Sequence, residues 1–220
     1  MRHAALTWLA FMAMTIGLAI SVSPSSAIAD TNPKPLRIVA FGDSLVAGYG
    51  LRPGEAFPDR LQKALAKKGL AVTVLNSGVS GDTTSGGLAR FDWAVPTDVD
   101  AVILELGAND MLRGLPPEKA HANLRAILKR IEARGVPALI AGMRAPSNWG
   151  RDYQEKFNGM YADLAKEFDA ILYPFFLSGV VQRAGLNQAD GIHPNAEGVD
   201  VIVERILPSV LKLIERVRAS

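Results

Sequence analysis

Hydrophobic residues recur along the chain in two alternating patterns, short unbroken runs and stripes with helical spacing. The unbroken runs, rich in β-branched residues, predict five buried strands at residues 36–41, 71–75, 101–106, 137–141 and 170–173. The stripes predict helices from Phe57 to Gly69, from Pro117 to Gly135, around residues 157–168 and from about Ala196. A weaker helix is predicted at residues 88–93, and Pro208 is expected to kink or split the last helix.

The alternation of strands and helices predicts a single α/β domain over residues 30–220. Parallel strands joined by helices need helices on both faces of their sheet. Right-handed crossovers then leave few topologies. The predicted fold is a three-layer α/β/α sandwich, with five mostly parallel strands in the flavodoxin-like order 2-1-3-4-5.

Residues 1–29 have the pattern of a secretory signal peptide. Arg2 and His3 form a short positive region, an apolar run covers residues 4–22, and Ala27-Ile28-Ala29 is a typical cleavage sequence. We therefore predict an exported protein, periplasmic or secreted, whose mature form has no stable membrane span. Because the apolar run approaches the length that spans a bilayer, an uncleaved anchor is the alternative.

Composition narrows the classes of function. Across 220 residues, a hydrophobic share of 49% with 21% charged residues is typical of a globular protein. A formal net charge of +2, without a long basic run, makes nucleic acid an unlikely partner. The chain has no cysteine, and its histidines form no ligand-spaced cluster, so we predict neither a thiolate nucleophile nor a metal or other cofactor.

Polar residues follow the predicted strands where each strand ends. Ser44 follows the first strand, Gly81 the second and Asn109 the third, while Asp190 and His193 follow the fifth. The active site of an open parallel sheet lies beyond the carboxyl ends of its strands. All five residues are therefore predicted to lie at one edge, with Ser44 beside Asn109 because their strands are neighbours.

Three of these residues have the chemistry of a serine nucleophile and its base. Pro194 favours an extended backbone at His193, which keeps this histidine outside the following helix. Asp190 is close enough in sequence to hold one imidazole nitrogen, so that the other nitrogen faces Ser44. Activity is then expected to fall on the acid side, where histidine becomes protonated.

Acyl transfer also needs hydrogen-bond donors for the oxyanion. The candidates are the N–H of Ser44, the N–H of Gly81, which lacks a Cβ, and the carboxamide of Asn109. Each residue also has a purely structural interpretation, since serine caps helices and glycine and asparagine are common in turns.

Four stretches together resemble the sequence blocks of the SGNH (GDSL) hydrolase superfamily. They are Gly42-Asp43-Ser44-Leu45, Gly81, Gly107-Ala108-Asn109-Asp110 and Asp190-Gly191-Ile192-His193-Pro194, and their order and spacing agree over essentially the whole mature chain. Residues 41–50, 109–116 and 190–195 are similar to a bacterial periplasmic branch of acyl-CoA thioesterases, lysophospholipases and arylesterases.

The resemblance implies a catalytic role for each matched residue. It makes Ser44 the nucleophile, His193 the base and Asp190 its orienting acid. Ser44, Gly81 and Asn109 would form the oxyanion hole, and the substrates would be small esters, thioesters or lysolipids. Ala108 stands where a second glycine is expected, which leaves Asn109 in place and affects substrate preference more than catalysis.

Apolar residues near the predicted rim loops are candidates for an acyl-chain groove, although a role as a core or loop anchor is the better explanation for each one taken singly. The loop at residues 78–87 is rich in small residues and is expected to close over the substrate. The groove candidates are Leu112, Met143, Pro146 and Phe175, with Trp149, Phe176 and Leu177 as further members.

Two other functions remain open at this point. A carbohydrate esterase that removes acetyl groups uses the same constellation within the superfamily. A flavodoxin-like nucleotide-binding module is the alternative from another class, but residues 42–50 contain neither a G-x-G-x-x-G sequence nor a phosphate-binding lysine. The oligomeric state is not indicated.

Overall fold

A computed structural model describes Met1 and residues 34–219 of the chain. The predicted signal peptide, apart from Met1, lies outside the described residues. The strands are β1 (Leu36–Gly42), β2 (Val72–Gly78), β3 (Ala101–Glu105), β4 (Ala138–Ala141) and β5 (Ile171–Tyr173). These five parallel strands form one sheet in the order β2-β1-β3-β4-β5, which confirms the predicted topology.

Helices cover both faces of this sheet. They are α1 (Ser44–Ala47), α2 (Phe57–Lys67), α3 (Thr84–Ala94), α4 (Ala108–Leu112), α5 (Pro117–Ala133), α6 (Arg151–Glu167) and α7 (Ala196–Ala219), with short 3-10 turns at Ser147–Trp149 and Ala184–Leu186. On one face α2 packs against α7, and on the other α5 packs against both α3 and α6, which gives the predicted three layers.

The first strand lies inside the sheet, between β2 and β3. Ile38 to Phe41 are fully buried, as expected for a strand with neighbours on both sides and helices on both faces. In the ladder, Gly42 pairs with Gly78 of β2 and with Glu105 of β3. The carboxyl ends of these three strands are therefore level, and the segments that follow them begin at one edge.

Of the kink or split predicted at Pro208, the split does not occur. Residues 196–219 form one helix, and Pro208 lies on its exposed side. A proline removes one backbone hydrogen bond. Buried residues on both sides of it, including Ile206 and Val210, hold the helix against the core.

The loop predicted at residues 78–87 is shorter than expected. β2 continues to Gly78 and α3 already begins at Thr84, which leaves residues 79–83 between them. The Thr83 side chain caps the helix by accepting from Gly86 N–H at 3.3 Å. Small residues with weak helix propensity hid this start in the sequence. Within residues 34–219, no helix is long and apolar enough to cross a bilayer.

Candidate active site

The segment after β1 is a one-turn helix rather than the predicted loop. Asp43 caps α1, and its Oδ1 accepts from the N–H of Leu45 at 3.0 Å. Gly42 is required at the strand end, because a Cβ there would lie 2.6 Å from both the carbonyl and the carboxyl oxygen of Glu105. Ser44 is consequently held at the first helical position, with 9% of its surface exposed.

The structure brings together the three residues predicted as nucleophile, base and acid. His193 Nε2 lies 2.9 Å from Ser44 Oγ, and His193 Nδ1 lies 2.6 Å from Asp190 Oδ2. Because an ionised carboxylate only accepts hydrogen bonds, this pairing places the imidazole proton on Nδ1. Nε2 is then free to accept the proton of Ser44.

Asp190 is fixed by its own loop. Its Oδ1 accepts from the backbone N–H groups of His193 at 3.0 Å and Ile192 at 2.9 Å. The backbone and side-chain hydrogen bonds of His193, followed by that of Ile192, lower the pKa of Asp190 to about 2. The acid therefore stays ionised through the neutral and mildly acidic range.

Tyr49 and Gln188 hold the histidine loop against the nucleophile segment. Gln188 Nε2 donates to Tyr49 O at 2.7 Å and to Pro194 O at 2.9 Å, and its backbone N–H donates to His193 O at 2.8 Å. The ring of Tyr49 packs on the imidazole, with the ring centroids 4.7 Å apart. Sequence reasoning missed both residues, since neither stands in a recognisable pattern.

The predicted oxyanion residues lie on neighbouring segments. Asn109 is in the first turn of α4, and its Nδ2 donates to Asp43 Oδ2 at 3.1 Å. A carboxamide nitrogen carries two hydrogens, so one is left for another acceptor. Gly81 has a φ of +82°, which favours glycine, and its carbonyl accepts from Arg113 Nη2 at 2.8 Å. The role of these residues stays a prediction.

A buried arginine, also missed in the sequence, joins the strand ends beneath the site. Arg90 of α3 donates to Gly42 O at 2.8 Å, to Ser77 O at 2.9 Å and to Asp82 Oδ2 at 2.5 Å. Asp82 is next to Gly81, so one guanidinium connects the nucleophile segment with the glycine segment. The available signal was a single arginine inside the apolar part of a weakly predicted helix.

A second link joins the start of α3 to α4. The buried carboxylate of Asp110 accepts from both the N–H and the hydroxyl of Thr84, each at 2.7 Å. Asn123 of α5 also donates to the Thr84 hydroxyl at 3.0 Å. Residues 84–87 are therefore fixed in a helix and do not belong to a flexible closing loop.

The groove candidates separate into exposed and buried groups. Leu112 and Pro146 are exposed, and Phe175 is half-buried beneath the guanidinium of Arg144. Met143, however, is only 3% exposed and packs within the hydrophobic core, so its prediction as a groove residue is wrong. β4 ends at Ala141, and the chain is still inside the core two residues later, at Met143. Phe176 is likewise buried, against Phe57.

This hydrogen-bonded series of serine, histidine and aspartate, at the edge of a parallel α/β sheet, places the chain in the class of serine hydrolases. The profile of the GDSL-like lipase/acylhydrolase family matches residues 40–201, and the chain belongs to this family. In the described part of the chain, no group of three His, Cys, Asp or Glu side chains is placed to hold a metal ion.

Curated relatives and solved structures agree with this assignment. The chain is 37% identical over 178 residues to esterase TesA of Pseudomonas aeruginosa, covering 80% of this chain and 89% of the relative. It is equally 37% identical over 178 residues to thioesterase 1/protease 1/lysophospholipase L1 of Escherichia coli, covering 80% and 84%. The structure of AlinE4, an SGNH-hydrolase family esterase, superimposes with a TM-score of 0.69 at 46% identity, covering 81% of this chain and 96% of that one.

Proposed function

We propose that the chain hydrolyses carboxylic esters and acyl thioesters of small molecules through an acyl-enzyme on Ser44. The observation that carries the proposal is the continuous series from Ser44 Oγ to His193 Nε2 at 2.9 Å and from His193 Nδ1 to Asp190 Oδ2 at 2.6 Å. The named activities of the relatives, esterase and thioesterase/lysophospholipase, support the same chemistry.

The mechanism has two steps. His193 Nε2 takes the proton of Ser44 as Oγ attacks the acyl carbonyl carbon. The N–H groups of Ser44 and Gly81 and the carboxamide of Asn109 stabilise the oxyanion, and the imidazolium then protonates the departing alcohol or thiol. Water, activated by the same imidazole, attacks the acyl-enzyme, releases the acid and restores Ser44.

The surface around the site favours an apolar acyl or aryl group over a glycan. Apart from Met1 and Trp93, the exposed large hydrophobic residues of the described chain all lie in segments that follow the carboxyl ends of strands. Leu112, Pro146 and Phe175 are the proposed substrate contacts among the earlier candidates. The exposed residues are Tyr49 after β1, Val79 after β2, Leu112 after β3, Trp149 after β4, and Val181 and Ile192 after β5.

The first test compares Ser44→Ala with the wild-type enzyme on a panel of p-nitrophenyl esters, lysolipid, acyl-CoA and an acetylated sugar. The kcat is expected to fall by about 10³-fold or more, because the nucleophile is removed. Ser209→Ala, on the far helix α7, is the control and should leave turnover unchanged. Wild-type turnover by Ser44→Ala would contradict the mechanism, and a preference for acetylated sugars would contradict the substrate class.

The N-terminal segment is, under this proposal, a signal peptide that exports the enzyme to the periplasm or the medium. The support is the positive start, the apolar run and the Ala27-Ile28-Ala29 sequence. Expressed with its full chain, the exported protein should begin at Asp30 when its N-terminus is sequenced. Recovery of the intact N-terminus in the membrane fraction would instead identify an uncleaved anchor.

A further inference from the structure

A glutamate lies buried directly beneath the nucleophile turn, and the mechanism above does not use it. Glu105 is the last residue of β3 and has no exposed surface. Its Oε2 accepts from the N–H of Asp43 at 3.3 Å, and its Oε1 has no hydrogen-bond partner among the described residues. A buried, incompletely paired carboxyl is costly. Packing alone therefore does not account for Glu105 in a strand whose other members are apolar.

Asp43 connects Glu105 to the reacting groups. Its two carboxyl oxygens accept from Leu45 N–H, which sets the start of α1 at Ser44, and from Asn109 Nδ2, which orients the carboxamide. The two carboxyl groups also influence each other, since Glu105 lowers the pKa of Asp43 and the charge of Asp43 raises the pKa of Glu105. Asp43 thus links the buried glutamate to two of the predicted oxyanion donors.

Burial favours the protonated forms of the two carboxyl groups. Burial raises the pKa of Asp43 to about 6, although the hydrogen bonds from Leu45, Asn109 and Glu105 oppose the rise. Burial and then the charge of Asp43 raise the pKa of Glu105 well above its ordinary value. Like charges in one buried site disfavour double ionisation. Glu105 therefore keeps its proton to a higher pH than an ordinary glutamate does.

Other ionisable groups face this pair from each neighbouring element. His193 acts on Asp43 from the histidine loop, and Arg90 of α3 binds Gly42 O next to Asp43. Tyr161 of α6 donates to Leu106 O at 3.0 Å. Burial, followed by the nearby carboxyl groups of Glu105, Asp110 and Asp43, raises the pKa of Tyr161 well above 10. The phenol therefore stays neutral. Loss of a proton from the pair on the alkaline side is consequently assigned to Glu105.

We propose that Glu105 is a positioning residue: it donates to the Asp43 carboxylate, accepts from Asp43 N–H, and so holds the start of α1 and the Asn109 carboxamide in their reactive positions. The inference rests on the proposed function of Ser44. When Glu105 loses its proton, the Asp43 carboxylate loses a donor and faces a second negative charge. The geometry at Ser44 and Asn109 then changes, and kcat falls at alkaline pH while KM changes little.

The experiment compares Glu105→Gln and Glu105→Leu with the wild-type enzyme, measuring kcat and KM across the pH range. Glutamine keeps both hydrogen bonds, since its amide donates to Asp43 and its carbonyl accepts, but it cannot ionise. It should retain neutral kcat within about threefold and lose the alkaline fall. Leucine keeps the volume without the hydrogen bonds and should lower kcat by about 10-fold or more, with KM nearly unchanged, because misplaced donors stabilise the transition state less.

The exposed Glu204→Gln on α7 is the matched control and should behave as wild type. Infrared difference spectra give a readout that does not depend on the leucine variant folding. Wild-type protein should show a protonated carboxyl at neutral pH that disappears in Glu105→Gln. An unchanged alkaline limb in Glu105→Gln, wild-type kcat in Glu105→Leu, or absence of the protonated carboxyl would each overturn the proposal.

Failure of the proposed function has a different signature. If the wild-type protein and Ser44→Ala turn over esters equally, the assignment of Ser44 is wrong. If turnover depends on Ser44 but the Glu105 variants show any of the overturning results, only the positioning role is wrong.

Discussion

At the residue scale, Asp190 controls which nitrogen of His193 faces the nucleophile. Asp190→Asn can present an amide hydrogen to Nδ1 and so place the imidazole proton on Nε2, where it no longer accepts from Ser44. We expect kcat to fall by about 10³–10⁴-fold with the protein still folded. Asp163→Asn, on the exposed side of α6, is the control. Nearly full activity in Asp190→Asn would show that the tautomer is set by another group.

Ser44, Asp190 and His193 could be chosen from the sequence because their chemistry is rare and their positions follow predicted strands. Glu105 was equally visible, as a carboxyl within a run predicted to be buried. The contact between Glu105 and Asp43 could not be predicted from the sequence, because this contact depends on the strand register that pairs Gly42 with Glu105. The prediction of Met143 as a groove residue was wrong for a similar reason, because burial just after a strand end depends on the elements that pack there.

At the scale of elements, Arg90 fixes α3 against the ends of β1 and β2. Its ion pair with Asp82 is almost completely buried, with side-chain exposures of 7% and 13%. Arg90→Met should lower the free energy of unfolding by about 3–5 kcal/mol, because it leaves the Asp82 charge buried without its partner. Urea denaturation followed by circular dichroism measures this change.

The matched control for Arg90 is Arg125→Met. Arg125 pairs with Glu167 on the surface, with exposures of 43% and 36%, so its loss should cost less than about 1 kcal/mol. Equal destabilisation by the two substitutions would contradict the buried, bridging role of Arg90.

The longer elements were predictable, and the short ones at the site were not. The amphipathic helices α2 and α5 could be predicted from apolar stripes that extend over several turns. α1 and α4 are one-turn helices, too short to show a period, so Ser44 and Asn109 were placed in loops. Their backbone hydrogen bonds, from Ala47 N–H to Asp43 O at 2.9 Å and from Met111 N–H to Gly107 O at 3.1 Å, distinguish these turns from loops.

At the scale of the whole molecule, the buried carboxyl pair makes the stability of the fold depend on pH. The pKa values of Asp43 and Glu105 are raised in the folded state, so the unfolded chain loses these protons first as the pH rises. The folded state is therefore favoured below the ordinary carboxyl pKa of about 4, and this advantage is lost as the pH rises through the raised values.

Glu105→Gln should flatten this dependence, because it removes one of the two groups. Urea midpoints of both proteins, measured from acid to alkaline pH, should agree most closely in acid, and the variant should become the more stable protein as the pH rises. Parallel profiles for the two proteins would show that Glu105 titrates as an ordinary surface carboxyl.

The overall topology was predictable because strand–helix alternation and right-handed connections leave few arrangements. The order 2-1-3-4-5 placed β1 beside β3, and with it Ser44 near Asn109, before any contact was known. The alternation of strands and helices could not predict the hydrogen bonds and the ion pair that join the strand ends, because they form between residues distant in sequence.

The distance along the chain between Ser44 and His193, 149 residues, also orders events during synthesis. A ribosome-bound fragment that stops before the histidine loop contains the serine hydroxyl but no imidazole to activate it. Ester cleavage thus begins only after the histidine loop has docked beside Ser44, and its onset can serve as a clock for that docking step during refolding.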